Sequence, residues 1–196
     1  SASDVALKHF ISGKSLIEKN CGDCIGASRK GLEAGLLELD IADSNGYKDK
    51  VAIYKLKYQA YSALAIVYSS PDSEDMKKYI YLRQQVAEKF VALSPDDSGM
   101  LYEYAMGLQD KDEQLKIMRK VLALDPKNFS ARQMIGLRLI EIGQIDQAVE
   151  QLKQAISDAD PEVADTYKEV AIEKLNEFGF KVKAAELRRQ VNLKKH

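Results

Sequence analysis

Cys21-Gly22-Asp23-Cys24 is the segment whose residue types and spacing point most directly to chemistry. Two thiols at this spacing can close a local disulfide, cycle as a redox pair or supply part of a metal site. A redox pair needs its first thiol activated at a helix N-terminus, and the sequence places a helix after Cys21. Thioredoxin-type pairs follow a strand, and no strand pattern precedes Cys21. Haem attachment requires His directly after the second Cys, where Ile25 stands. A structural zinc takes four ligands, and beyond Cys21 and Cys24 the chain has only His9 and His196. Three readings stay open: inert thiols in a turn, a disulfide between Cys21 and Cys24, and redox or metal function.

Other motif fragments lack what their chemistry requires. Gly26-x4-Gly31 is followed by Leu32-Glu33 rather than the Lys-Ser/Thr of a phosphate loop. Asp43-x-Asn45-Gly46 resembles part of a calcium loop, but Ile41 and Ala52 replace the outer carboxylates. Asn128-Phe129-Ser130 is a short glycosylation sequon that arises readily by chance. A catalytic triad needs an internal His, and His9 is the one available. Carboxylates are plentiful, yet no pair stands apart from a solvated face. The residues point to binding rather than catalysis, with no cofactor and no metal.

The elements that must position these residues follow from composition. The chain has 196 residues, with 29 Lys and Arg against 30 Asp and Glu, a net charge of −1. A general nucleic-acid or membrane-surface binder needs a basic excess. Hydrophobic residues make up 45% and charged residues 30%, a globular balance. Eleven Gly, four Pro and no Trp, among many Ala, Leu, Lys and Glu, indicate helix almost throughout. The longest apolar run, Ala63 to Tyr68, is six residues, far below the ~20 of a membrane span. The chain opens Ser1-Ala2-Ser3 without an initiator Met, so a removed targeting segment would leave no trace and localisation stays open.

Apolar residues recur at intervals of three and four, as in Leu101, Tyr104, Ala105 and Leu108. Breakers divide the chain, among them Ser44-Asn45-Gly46, Ser70-Pro71-Asp72, Ser94-Pro95-Asp96, Asp125-Pro126, Gly143, Asp160-Pro161 and Gly179. The pattern predicts about ten helices, near 4–20, 24–43, 48–69, 73–93, 98–109, 112–124, 129–142, 145–158, 162–178 and 181–194. Their short connections require antiparallel neighbours. Leu93-Ser94-Pro95 and Leu124-Asp125-Pro126 end their helices alike, because Pro cannot continue a helix and pushes the preceding residue to extended geometry. Pro95 to Pro126 spans 31 residues and Pro126 to Pro161 spans 35, a repeat of helix pairs.

From Phe129 to Asp160 the chain carries Ile135-Gly136, Leu139, Gly143, Ala148, Leu152 and Ala155. This spacing resembles the tetratricopeptide repeat family. Small Gly136 and Ala148 would let two helices approach closely, and Gly143 would make the turn between them. The last unit keeps Gly179, Ala184 and Val191, with Lys168 and Ile172 where the family prefers an aromatic and a glycine. The unit ending at Pro126 keeps Tyr104-Ala105 and Leu108 with a shorter turn. The first keeps Gly22-Asp23, Ala27 and Ala34, and the second, 48–95, departs most. The resemblance implies an all-α, right-handed α-solenoid of about five antiparallel helix pairs. It would form one domain over 1–196, with irregular repeats at 4–43 and 48–95 and clearer ones at 97–126, 129–160 and 162–196.

The resemblance also implies a concave groove lined by the first helix of each pair. It would show Tyr102, Met106 and Gln109, then Gln133, Leu137, Ile140 and Glu141, then Thr166, Glu169, Glu173 and Glu177. The last three recur every four residues and would make an acidic wall for a basic partner segment, or an ordinary solvated face. The Lys/Arg/Asn set by which some members clamp a C-terminal carboxylate is missing. Nine of ten tyrosines lie between Tyr47 and Tyr104, and Tyr54, Tyr58, Tyr61 and Tyr68 share a helix face. They are either core or a contact surface, and the repeat alignment puts Tyr58 and Tyr61 at packing positions. In the last helix Lys181, Lys183, Arg188, Arg189, Lys194 and Lys195 face one acid, Glu186. The implied function is a non-enzymatic scaffold that binds a protein or peptide segment in its groove. A self-assembling module and a thiol-redox or metal-responsive protein are the alternatives. No nucleic acid and no membrane insertion are expected, and the partner's identity is not encoded in these features.

Overall fold

The computed structural model describes residues 1–21 and 27–192. Among the described residues there are ten α-helices and no strand. They are α1 (Ala2–Asn20), α2 (Arg29–Ser44), α3 (Lys50–Ile66), α4 (Glu74–Leu93), α5 (Ser98–Met106), α6 (Lys111–Leu124), α7 (Phe129–Glu141), α8 (Ile145–Asp158), α9 (Pro161–Glu177) and α10 (Lys181–Asn192). The architecture is all-α, built from antiparallel helix pairs.

Local chemistry sets the boundaries. Ser1, Ser28, Asp49, Ser73, Asp110 and Asn128 each cap a helix by accepting a hydrogen bond from a first-turn backbone N–H. Each such cap is worth about 1 kcal/mol. Pro161 occupies the first turn of α9, where its missing N–H costs nothing. The expected ends agree with the observed ones to within a few residues except at α2, which begins at Arg29 rather than near 24; the expected end of the last helix at 194 lies outside the described residues. Ser28 is extended there, and its N–H donates to Asn20 Oδ1 at 2.7 Å. Asn20 is buried and its amide donates to the Leu16 carbonyl at 2.6 Å, so it ties the end of α1 to the start of α2.

Contacts divide the chain into two compact units, Ser1–Met100 and Leu101 onward. In the first, Ile17, Leu32, Leu39, Ile53 and Leu64 are fully buried. Each contributes about 1.5–3 kcal/mol by leaving water. α1 and α2 approach until their backbones nearly touch: a Cβ on Gly13 would lie 2.9 Å from the Gly35 carbonyl oxygen. This corrects the repeat register of the first pair. Ala27 precedes α2 and Ala34 is exposed, whereas Gly35 and Ala42, also seven residues apart, are buried. Gly22 and Asp23, expected in the intervening turn, lie outside the described residues.

The tyrosine stripe belongs mainly to this core. Tyr54, Tyr61 and Tyr68 pack against it, and Tyr61 stacks on the buried Tyr79 at 6.3 Å. Tyr58 lies under the Arg83 guanidinium, 5.9 Å from its centroid. The Tyr79 hydroxyl donates to Glu33 Oε1 at 3.1 Å and accepts from Arg29 at the same distance, joining α4 to α2.

In the second unit α7 and α8 repeat the close approach in its shorter form. A Cβ on Gly136 would lie 2.5 Å from Leu152 Cγ and 3.3 Å from the Ala148 carbonyl. Gly143 and Gly179 close the α7–α8 and α9–α10 turns at φ +77 and +85, a region that side chains rarely adopt. Lys168, at the position where the tetratricopeptide pattern prefers an aromatic, is buried along its stem with its ammonium 3.7 Å from Asp165.

Candidate functional site

The first helices of the second unit carry the groove residues expected from the sequence except Gln109, which follows the end of α5, and most of those residues fall into three groups. The first is a seam joining α5, α7 and α9. Ser130 and Tyr167 share a hydroxyl hydrogen bond of 2.7 Å, and the Phe129 ring meets the Tyr167 ring edge-on at 5.9 Å. Tyr102 is half-buried beside them. Burial pushes its phenol above the ordinary value, with Tyr167 and Glu103 adding, while a bond with Ser130 draws it down. The Gln133 amide donates to the Tyr167 carbonyl at 3.1 Å. Gln133 is only 5% exposed, so it packs between helices instead of presenting a free side chain. Ile140 is fully buried as well.

The second group is centred on Glu141, whose side chain is 12% exposed. Its Oε2 accepts from Arg138 at 2.7 Å and from Lys111 at 3.1 Å, and its Oε1 meets Lys174 Nζ at 3.1 Å. Partial burial alone would raise this carboxyl. Hydrogen bonds from Arg138, Lys174 and Lys111 outweigh that and hold its pKa at about 2. Arg138 also donates to Gln114 Oε1 at 2.6 Å, and the buried Gln114 amide donates to the Ala105 carbonyl at 2.9 Å. One carboxylate thus fastens α6, α7 and α9, and Gln114 extends the network to α5. The spacing of Arg138 and Glu141 on one helix face was visible in the sequence. The long-range members Lys111, Gln114, Lys174 and Tyr167 had no local signal.

The third group is Glu169, Glu173 and Glu177. They do not share the Tyr167–Lys174 edge of α9 that meets α7. They line an open concavity of about 540 Å³ with Ile172, Asn176 and Arg188 of α10. Glu169 Oε2 is 3.2 Å from Arg188, and Glu177 is 3.4 Å from Lys174. The carboxylates of the expected acidic wall thus border Arg188 of α10. Apolar surface on the first helices is left at Met106, 45% exposed, and at half-buried Leu137. Gln109 and Thr166 are exposed.

Cys21 caps the C-terminal end of α1, its N–H bonded to the Ile17 carbonyl at 2.8 Å. The dipole end it meets is the negative one, and the helix expected after it begins at Arg29. Cys24, and with it the choice among inert thiols, a disulfide and redox or metal function, lies outside the described residues. Among the described residues no group of three His, Cys, Asp or Glu is placed to hold a metal ion, and no helix is long and apolar enough to cross a membrane.

No protein-family model matches the sequence, and no curated protein does. Solved structures do match. MamA 41-end from Desulfovibrio magneticus RS-1 aligns at TM-score 0.64 and 19% identity, over 97% of this chain and 95% of that one. A MamA RS-1 ArsTM double mutant aligns at TM-score 0.63 and 19% identity, over 97% of this chain and 94% of that one. At this identity the likeness establishes the all-helical repeat fold.

Proposed function

We propose that this chain is a non-enzymatic scaffold of tetratricopeptide type that binds a protein or peptide segment along the first helices of its repeats. The observation that carries this reading is apolar surface left on helices whose polar side chains are consumed in fastening the repeat. Gln133 and Glu141 hold α7 to α9, while Met106 on α5 and Leu137 on α7 stay available. Such anchors, flanked by a fixed polar frame, are what a groove needs to seat apolar side chains of a partner. The similarity in fold to MamA supports a repeat scaffold.

The test is affinity capture from the source organism's lysate with wild type, Met106→Arg and Leu137→Arg, each checked for an unchanged helical melting curve. A partner held by wild type and lost with both variants is the expected result. A partner held equally by all three removes the groove. Leu7 and Ile11, one turn apart on α1 and 47% and 58% exposed, favour a second reading as a self-assembling module. Recovery of the protein alone, with a mass above the monomer in light scattering, would support that reading instead.

A further inference from the structure

The last helix pair repeats the one before it at a fixed offset. Gly143 and Gly179 make equivalent turns, and Ala148 and Ala184 are equivalent buried residues, both 36 positions apart. The same offset matches Gln133, Leu137, Ile140 and Glu141 on α7 with Glu169, Glu173, Asn176 and Glu177 on α9. On α7 this row, Leu137 apart, seats a helix. Gln133 donates to the α9 backbone, Glu141 meets Lys174 of α9, and Ile140 is fully buried. On α9 the equivalent row is exposed and borders the concavity of about 540 Å³.

The exchange of residue types at matching positions says what that second seat accepts. Gln133 donates to a carbonyl of its occupant, whereas a carboxylate at Glu169 can only accept. Apolar Leu137 and Ile140 become Glu173 and Asn176. An occupant like α9, offering a carbonyl and apolar side chains, would desolvate these carboxylates without giving them donors. Glu177 keeps the acid of Glu141, and Glu141 shows the arrangement that satisfies it, a cation from the incoming helix. Beside the acids, Ile172, Ala184 and Ala185 supply a small apolar floor, edged by Asn176 and by the cations Lys181 and Arg188.

We propose that the α9/α10 face docks an amphipathic helix of another protein that carries Lys or Arg at four-residue intervals, with small apolar residues alongside. Glu169, Glu173 and Glu177 span about 12 Å at 1.5 Å per residue, so the occupant needs a little over two turns. Glu173 has no ion pair among the described residues. The Arg188–Glu169 pair is 57% exposed on both sides, weak enough for an incoming cation to replace. The surface lies on a different edge of α9 from the one packed on α7, so it stands whether or not the groove near Met106 and Leu137 binds anything.

The experiment is fluorescence anisotropy on the full chain. The probe is a labelled 18-residue helical peptide with Lys on one edge at four-residue spacing and Ala and Leu beside it. A second peptide has the same composition with the lysines scattered around the helix. Saturable one-to-one binding is expected for the first. Binding at least tenfold weaker is expected for the second, and for Glu169→Gln/Glu173→Gln protein with an unchanged melting curve. Glu88→Gln, at an exposed acid of α4, should bind as wild type does. Equal binding of the two peptides, or equal binding by wild type and the double variant, would overturn the proposal. So would the absence of saturable binding, which would leave the face a solvated cap. Self-association lost in the double variant would replace the partner with a second copy.

Discussion

Glu141 shows how one side chain decides a local architecture. Its folded pKa of about 2 lies below the ordinary 4.5, so the folded state releases this proton more readily than the unfolded one. The resulting stability is fully present above about pH 4.5 and is lost as pH falls from there towards 2. A shift of this size corresponds to at most about 3 kcal/mol. Glu141→Gln should therefore lower stability at pH 7 by about 1–3 kcal/mol, since it leaves the partly buried Arg138 and Lys174 with one fewer acceptor charge. It should also flatten the acid limb of the stability curve. Chemical denaturation of both proteins between pH 7 and pH 3 measures this, and two curves that stay parallel throughout would remove Glu141 from the role.

Helix pairs here meet by two routes to the same close packing. Gly13 and Gly35 are 22 residues apart, whereas Gly136 and Ala148 are 12 apart, yet both pairs bring backbone to near contact. Replacing Gly by Ala within a helix normally gains about 1 kcal/mol of propensity. At Gly13 the new methyl would sit 2.9 Å from a backbone oxygen, which cannot rotate away. Overpacking of that kind costs about 1–3 kcal/mol. Gly13→Ala is therefore expected to be neutral to destabilising by about 2 kcal/mol despite its better propensity. A gain in the denaturation midpoint would show that α1 and α2 separate more easily than their packing implies.

The whole chain resolves into two compact units, each with its own buried core. In repeat folds stability is nearly a sum of intrinsic and nearest-neighbour terms. A defect at Gly13 should then lower amide protection in α1 and α2 most, in α3 and α4 less, and in α7 to α10 least. Glu141→Gln should reverse that order. Native-state hydrogen exchange read by mass spectrometry tests this. Equal loss of protection along the whole chain for either variant would mean a single cooperative unit.

The sequence by itself determined the helical class, the number of helices and most of their ends. Those follow from interactions within a few residues: Pro161, the Ser and Asp caps, the left-handed glycines and the spacing of apolar positions. It also marked Gly136 and Ala148 as a close approach, because the spacing there is short and regular. The first pair was misaligned because the matching small residue lies ten positions further along than in the clear repeat, and only contact between helices reveals that Gly35 faces Gly13. Tertiary structure alone decided which carboxylates belong together. Glu141 and Glu173 both look like solvated acids on a first helix. One is enclosed by Lys111, Arg138 and Lys174, while the other opens onto α10. The difference comes from charges far apart in the chain, whose separation in space depends on how the faces of folded helices are turned towards one another.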